Sequence, residues 1–385
     1  MLKVKPSNMK VRPINKPELR SIMLDWSNKL EWNYSENDVD AYFEINGLGI
    51  YALLIEDELA ACVSLTKYMQ QDKHNVLASI GLFITHENYR GLKLCGPELW
   101  KTIIKEISCC NTTCLNSVPR ALSYYQGKGF FNTGIRSAHY GSIFNKKKLD
   151  EFVKVLENSQ LMIDGDIITP VDHTRITRYE LSLFQRHFSE RHNFIEKWLS
   201  RPDACILAYM DKATVIKGYG VMTQCKVETD KIVYRISPLY AETLYVAQKL
   251  LKALSSHAMQ SNYTELVNET KSIALEINIP EGYNVAHSVT MNALFKDLGF
   301  KSIKDGETYL MIKPQDDALS AFSSQSSLWY KCIALSPLEF PSEFLLFNSE
   351  LKSPPESEKT FPTLFQLCEE RLNRLEGYVK TESHF

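Results

Sequence analysis

The stretch YYQGKGF, ending at Phe130, is echoed by LFKDLGF, ending at Phe300. Each follows a β-type run, carries a short helical pattern and closes on Gly-Phe. A distant echo of this kind constrains the fold more than composition does, because it divides the chain into two divergent copies of one unit. The length of 385 residues suits two domains plus extras, and each copy is long enough to bury its own core.

The elements around the echo agree. MKVRPI reads as a strand, KPELRSIMLDWSNKL as one helix with Leu19, Ile22, Met23 and Trp26 at helical spacing, and ENDVDAYFEI as a second helix. GIYALLIEDELAACVSLTKY reads as a hairpin about an acidic turn, and NVLASIGLFIT as a further strand. GPELWKTIIKEIS places Leu99, Ile103 and Ile107 on one helical face, with Pro97 in the first turn. TTCLNSV, PRALSYYQGKG and FFNTGIRSAHYGSI follow as strand, short helix and strand. The second copy repeats this style through the hairpin ACILAYMDKATVIKGYGVMTQCKV, the strand KIVYRI, the helix ETLYVAQKLLKALSSHAMQ and the strand SIALEINIP. The fold class is α/β in the mixed-sheet sense, with mostly antiparallel hairpins. Boundaries read as 1–143 for the first copy, 144–168 for a connector whose MIDGDIITP supplies turn residues, 169–340 for the second copy and 341–385 for a Pro/Ser/Glu-rich tail.

Composition excludes several classes. Lys+Arg 44 against Asp+Glu 46 leaves a net charge of -2, so no overall basic field points to nucleic acid or an anionic membrane. No apolar run reaches the length of a membrane span, and the N-terminus lacks a secretory pattern, so a cytoplasmic protein is expected. The nine cysteines are odd in number and scattered. Cys109, Cys110 and Cys114 lack a second ligand pair at finger spacing, so neither a disulfide framework nor a metal site is expected.

One loop carries chemistry. HENYRGLKLCG, from His86 to Gly96, joins a strand to a helix, where backbone N–H groups face an anion. Its order of strand, YRG loop, helix, strand and a short helix ending Y-x-x-x-G-F resembles the GNAT superfamily of acetyl-CoA-dependent N-acetyltransferases, whose loop follows R/Q-x-x-G-x-G/A. Arg90 and Gly91 match that pattern, Lys93 and Cys95 replace two glycines, and Gly96 comes one residue late. DWSNKLEWN, LNSVPRALSYYQGKGF, GYGVM, ISPLYAE and INIPEGYN are further similar to segments of a tandem subset of that superfamily, from Met9 to about Phe340.

The resemblance implies two tandem GNAT-like domains, the second degenerate, and acetyl-CoA as co-substrate. Leu82, Phe83, Ile84 and Thr85 would meet the thioester and pantetheine, and Arg90, Gly91, Leu92, Lys93, Leu94, Cys95 and Gly96 the pyrophosphate. Tyr125 would protonate the leaving thiolate, with Tyr124 as the register alternative and a buried structural tyrosine as the plain one. Glu31, Trp32 and Asn33 would line the acceptor pocket, and Glu31, Glu87 and His86 are all open as general base. The second copy carries Phe295 where the first has Tyr125, and SPLYAETLY where the first has its loop. The expected activity is transfer of an acetyl group to an amine, a small molecule before a protein. The alternative is a catalytically weak binding module or a secreted bacterial effector acting on a protein partner.

Overall fold

Glu56 and Asp57 join β2 (Ile50–Ile55) to β3 (Glu58–Met69) with φ of 53° and 64°. Two left-handed residues give a two-residue turn whose twist suits the strands it connects, so the acidic turn read in the sequence closes an antiparallel hairpin. β1 (Met9–Pro13) pairs with the free edge of β2, and β4 (Val76–Thr85) with that of β3. The crossover helix α3 (Cys95–Ile107) then returns the chain to β5 (Thr112–Ser117), parallel to β4. The computed structural model describes residues 8–30, 32–46, 49–69, 76–91, 94–110, 112–158, 167–184, 195–268, 270–281, 295, 299–303, 307–314 and 332–334.

The segment read as one helix over 16–30 is broken. α1 (Lys16–Arg20) starts at a capping box between Asn15 and Glu18, then gives way to a π turn (Ser21–Trp26) and a 3-10 turn (Asn28–Leu30). The cause lies at Ser27, whose hydroxyl and N–H both donate to the Ile22 carbonyl at 2.9 Å, competing with the helical ladder. The wider turn leaves Ile22, Met23 and Trp26 buried. α2 (Glu36–Asn46) follows, and α4 (Leu122–Gln126) is the short helix before Gly129.

The second half is built from α5 (Lys146–Asn158), β7 (Ile167–Pro170), α6 (His173–Phe184), β8 (Ala204–Met210), β9 (Ile216–Val227), β10 (Lys231–Ala241), α7 (Leu244–Ser261), α8 (Tyr263–Val267) and β11 (Ser272–Glu281). β7 to β10 are antiparallel neighbours and β11 is parallel to β10, repeating β1 to β5. IITP, read as turn residues, is the edge strand β7, a position that tolerates Pro170. Gly129 and Gly299, the glycines of the echo, are both left-handed at φ 86° and 80°.

The last strands of the halves are exchanged. β6 (Phe131–Phe144) pairs over its first residues with β13 (Thr308–Pro314) and over its later ones with β11, from Arg136↔Glu281 to Phe144↔Ile273. β13 in turn lies between β5 and β6, and β12 (Lys301–Ser302) pairs with β6 at Tyr140 and Gly141. Among the described residues the strands form one sheet, with β14 (Cys332–Ala334) paired to β10. Packing follows the exchange. Met311 of β13 is fully buried in the core beneath α3, and Tyr140 and Phe144 of β6 lie in the core beneath α5 and α7. Each such side chain contributes about 1.5–3 kcal/mol to the half that did not encode it.

No described helix is long and apolar enough to cross a membrane. The tail from 341 lies outside the described residues.

Candidate active site

β4 and β5 pair from Leu77↔Thr112 to Ile80↔Leu115 and then part. Beyond Ile80, β4 is held by β3 alone, and its pairing slips so that Ser64 meets Gly81 while Cys62 meets Ile84. Leu82 sits at that slip with φ 42°, and its carbonyl accepts from the Cys62 thiol at 3.3 Å. Parting strands leave main-chain groups of Leu82, Phe83, Ile84 and Thr85 without a sheet partner on the β5 side, an edge that an extended ligand can pair with.

The loop leaves this strand through a 3-10 turn (Glu87–Tyr89). Arg90 Nε donates to the Thr85 carbonyl at 2.9 Å, which fastens the loop to the end of β4. Gly91 has φ 82° with open space where a Cβ would stand, so backbone conformation alone requires glycine here. Leu92 and Lys93 lie outside the described residues. Leu94 precedes α3 and offers no side-chain cap, so it leaves the N–H groups of Cys95 and Gly96 uncapped; Pro97 has no N–H, and Glu98 N donates to the Leu94 carbonyl at 3.2 Å. Cys95 is 3% exposed, its thiol in the core and its acidity weakened by burial. The replaced glycine therefore does not crowd the loop.

Gly96 faces Tyr124, and a Cβ on Gly96 would come within 3.3 Å of that hydroxyl. The Tyr124 hydroxyl is buried and has no hydrogen-bond partner in the protein, and Lys128 Nζ lies 5.5 Å from its ring centre. An uncapped helix start, a glycine, an orphan hydroxyl and a nearby ammonium together suit a phosphate. Tyr125 lies beside it in the same aromatic group, 5.3 Å from the Tyr124 ring and 6.1–6.4 Å from those of Phe83, Trp100 and Phe130. Burial, then the neighbouring Tyr124, pushes its phenol well above the usual tyrosine range, so it stays protonated.

The other expected residues are placed apart. Glu31 lies outside the described residues. Glu87 is an exposed partner of Lys29 at 2.9 Å, and His86 stacks on Trp26 at 4.8 Å. Trp32 and Asn33 reach the second half: their carbonyls accept from Arg235 Nη2 at 2.7 and 3.1 Å, and Asn33 Nδ2 donates to Glu276 Oε1 at 2.9 Å. Glu276 Oε2 lies 3.4 Å from His139 Nε2. Burial raises the Glu276 carboxyl, but His139, Arg235 and Asn33 outweigh it and hold the group below its ordinary range. Nearby, Asp38 and Arg201 form a buried ion pair at 2.6 Å. The sequence reading missed Arg235, Glu276 and His139. For Arg235 and Glu276 the available signal was a lone charge within the apolar runs IVYRISPLYA and SIALEINIP, since a buried charge demands partners.

The corresponding cleft of the second half is closed. β10 and β11 part after Ile236↔Ile277, but β14 pairs with β10 at Leu239 and Tyr240. Thr243 caps α7 by accepting from Val246 N at 3.2 Å, and Phe295 is fully buried.

Residues 182–303 match the family model described as an acetyltransferase (GNAT) domain. No curated protein sequence matches the chain. A candidate acetyltransferase from Pyrococcus horikoshii has a similar structure, with a TM-score of 0.56, 15% identity and coverage of 87% of this chain and 97% of that one. A tandem GNAT protein from the clavulanic acid biosynthesis pathway gives a TM-score of 0.52 and 11% identity over 80% of this chain and 98% of its own.

Proposed function

We propose that this chain, whose fold is the tandem GNAT fold, transfers an acetyl group from acetyl-CoA to the amine of a small molecule, using the first half alone for acetyl-CoA. The observation that carries the reading is the contrast between the clefts. The first has a free β4 edge, an uncapped α3 and an orphan hydroxyl on Tyr124. The second has a strand in its opening, a capped α7 and no phenol at Phe295.

In this reading the β4 edge from Leu82 to Thr85 aligns the pantetheine and thioester, and the start of α3 with Tyr124 and Lys128 takes the pyrophosphate. Alignment alone contributes much of the rate, by turning an encounter into a step within one complex. The neutral amine nitrogen attacks the thioester carbonyl, a C–N bond forms and the C–S bond breaks. Tyr125 gives its proton to the departing thiolate, and the proton lost by the nitrogen leaves through the polar residues of the acceptor side or water. A cytoplasmic setting, where acetyl-CoA is made and used, completes the proposal.

Calorimetric titration with acetyl-CoA, followed by mass spectrometry of an amine library incubated with labelled acetyl-CoA, tests it. Micromolar binding and label on small amines are expected. Absence of binding at millimolar acetyl-CoA would sink the proposal, and label on protein substrates alone would overturn its choice of acceptor.

A further inference from the structure

Phe83 stands on the free segment of β4, and Tyr124 and Tyr125 stand on α4, which follows β5. The two sides of the parted strands therefore each send rings to one face, where Trp100 of α3 meets them. Every centre-to-centre distance among Phe83, Trp100, Tyr124 and Tyr125 lies between 5.3 and 6.4 Å. That is ordinary aromatic contact, and it leaves no room for a chain between the rings. Trp100 and Tyr125 are buried in the core beneath α3, while Phe83 and Tyr124 are only partly buried at its edge. The cleft thus has an aromatic floor.

Its inner end is closed as well. β4 and β5 rejoin at Ile80↔Leu115, and both side chains are buried in the same core. Of the floor residues, Phe83 alone rises from the strand whose edge is free, so its ring stands next to whatever pairs with that edge.

Resting on the function proposed above, we infer that this floor restricts the acyl donor to short-chain thioesters and that Phe83 is the residue that sets the limit. With its pyrophosphate at the start of α3, the donor meets β4 first at Thr85 and runs inward along the edge. Its acyl end then arrives over Phe83, close to the fork. An acetyl group lies on the rings, whereas a longer chain must displace one of them or turn out through the side by which the amine enters.

The test needs no acceptor. Coenzyme A and its acetyl, butyryl and hexanoyl thioesters are titrated calorimetrically into the full chain and into Phe83→Ala and Phe83→Leu, with circular dichroism reporting the fold of each. In the unsubstituted chain the butyryl and hexanoyl esters should bind no better than acetyl-CoA, because their added methylenes find no apolar space to enter. Phe83→Ala opens the space of one ring, so affinity should rise from acetyl to hexanoyl by about fourfold for each methylene that enters, roughly tenfold or more over the chain. Phe83→Leu should fall between the two. General loosening of the fold would shift all the esters together, and only an opened floor changes their order. A steady rise of affinity with chain length in the unsubstituted chain would overturn the inference, as would an unchanged order in either folded variant. Absence of binding by coenzyme A and by every thioester would remove the proposed function itself, a result distinct from a wrong order among esters that do bind.

Discussion

Tyr125 of the first half and Phe295 of the second occupy one and the same place in the repeat. The Tyr125 carbonyl accepts from Phe130 N at 3.1 Å and the Phe295 carbonyl from Phe300 N at 2.8 Å. Their rings meet those same phenylalanines edge-on, at 6.1 and 5.1 Å. The two positions share this backbone bond and this ring contact and differ by one phenolic oxygen.

Tyr125→Phe should therefore lower the acetyl-transfer rate by roughly 10- to 1000-fold with little change in acetyl-CoA affinity, as for loss of a general acid. Phe295→Tyr should create no second activity and should destabilise the fold by about 1–3 kcal/mol, because it buries a hydroxyl without a partner. Steady-state kinetics and urea unfolding check the pair. Equal, small rate effects would remove Tyr125 from the mechanism.

Tyr124→Phe separates the two tyrosines by a different readout. Its hydroxyl has no protein partner, so its loss should leave the urea midpoint unchanged or slightly raised. If the hydroxyl meets a phosphate, acetyl-CoA affinity should fall about tenfold while kcat holds. A lost kcat with intact affinity would transfer the acid role to Tyr124.

The acidity of Tyr125 sets a pH expectation. Its folded pKa is raised above the ordinary value of 10.0, so the protonated form is the one the fold favours. The associated stability is complete below about pH 10 and is lost as pH rises toward the folded value. The kcat profile should accordingly show no alkaline fall from this group below pH 10. A decline in kcat at lower pH that disappears in Tyr125→Phe would contradict its burial.

Asp38 and Arg201 supply a stability test. Asp38→Asn leaves Arg201, 3% exposed in its side chain, facing a neutral partner and should cost about 3–5 kcal/mol. Asp203 at 2.8 Å retains part of the charge balance, so the lower end of that range is expected. Circular dichroism and tryptophan fluorescence in urea should move together. Separate transitions for the halves would contradict the exchanged strands.

Local pattern made much of this legible. Alternation and turn residues located the β2–β3 and β8–β9 hairpins, and helical spacing located α3 and α7. The echo ending at Phe130 and Phe300 located the repeat. Partnership was not legible. Period-two alternation in β6 says which face each residue takes, yet nothing in it says that Arg136 will lie beside Glu281 of the other half. The buried cluster of Arg235, Glu276 and His139 about Asn33 is hidden for the same reason. Asn33 and Glu276 are 243 residues apart, and no periodic signal spans that separation. At Ser27 a single hydroxyl redirected a backbone that apolar spacing described as one helix.

The position of β13 also sets a clock. Synthesis runs from N- to C-terminus, so β5 and the first stretch of β6 emerge long before the strand that belongs between them, which begins at Thr308. Until then the nascent first half offers two open strand edges and a core without Met311, the kind of surface that chaperones hold and that neighbouring chains on a polysome can invade. A ribosome that stops between the halves releases a product unable to close its own sheet. Closure of the first half's sheet thus waits on a strand encoded in the second.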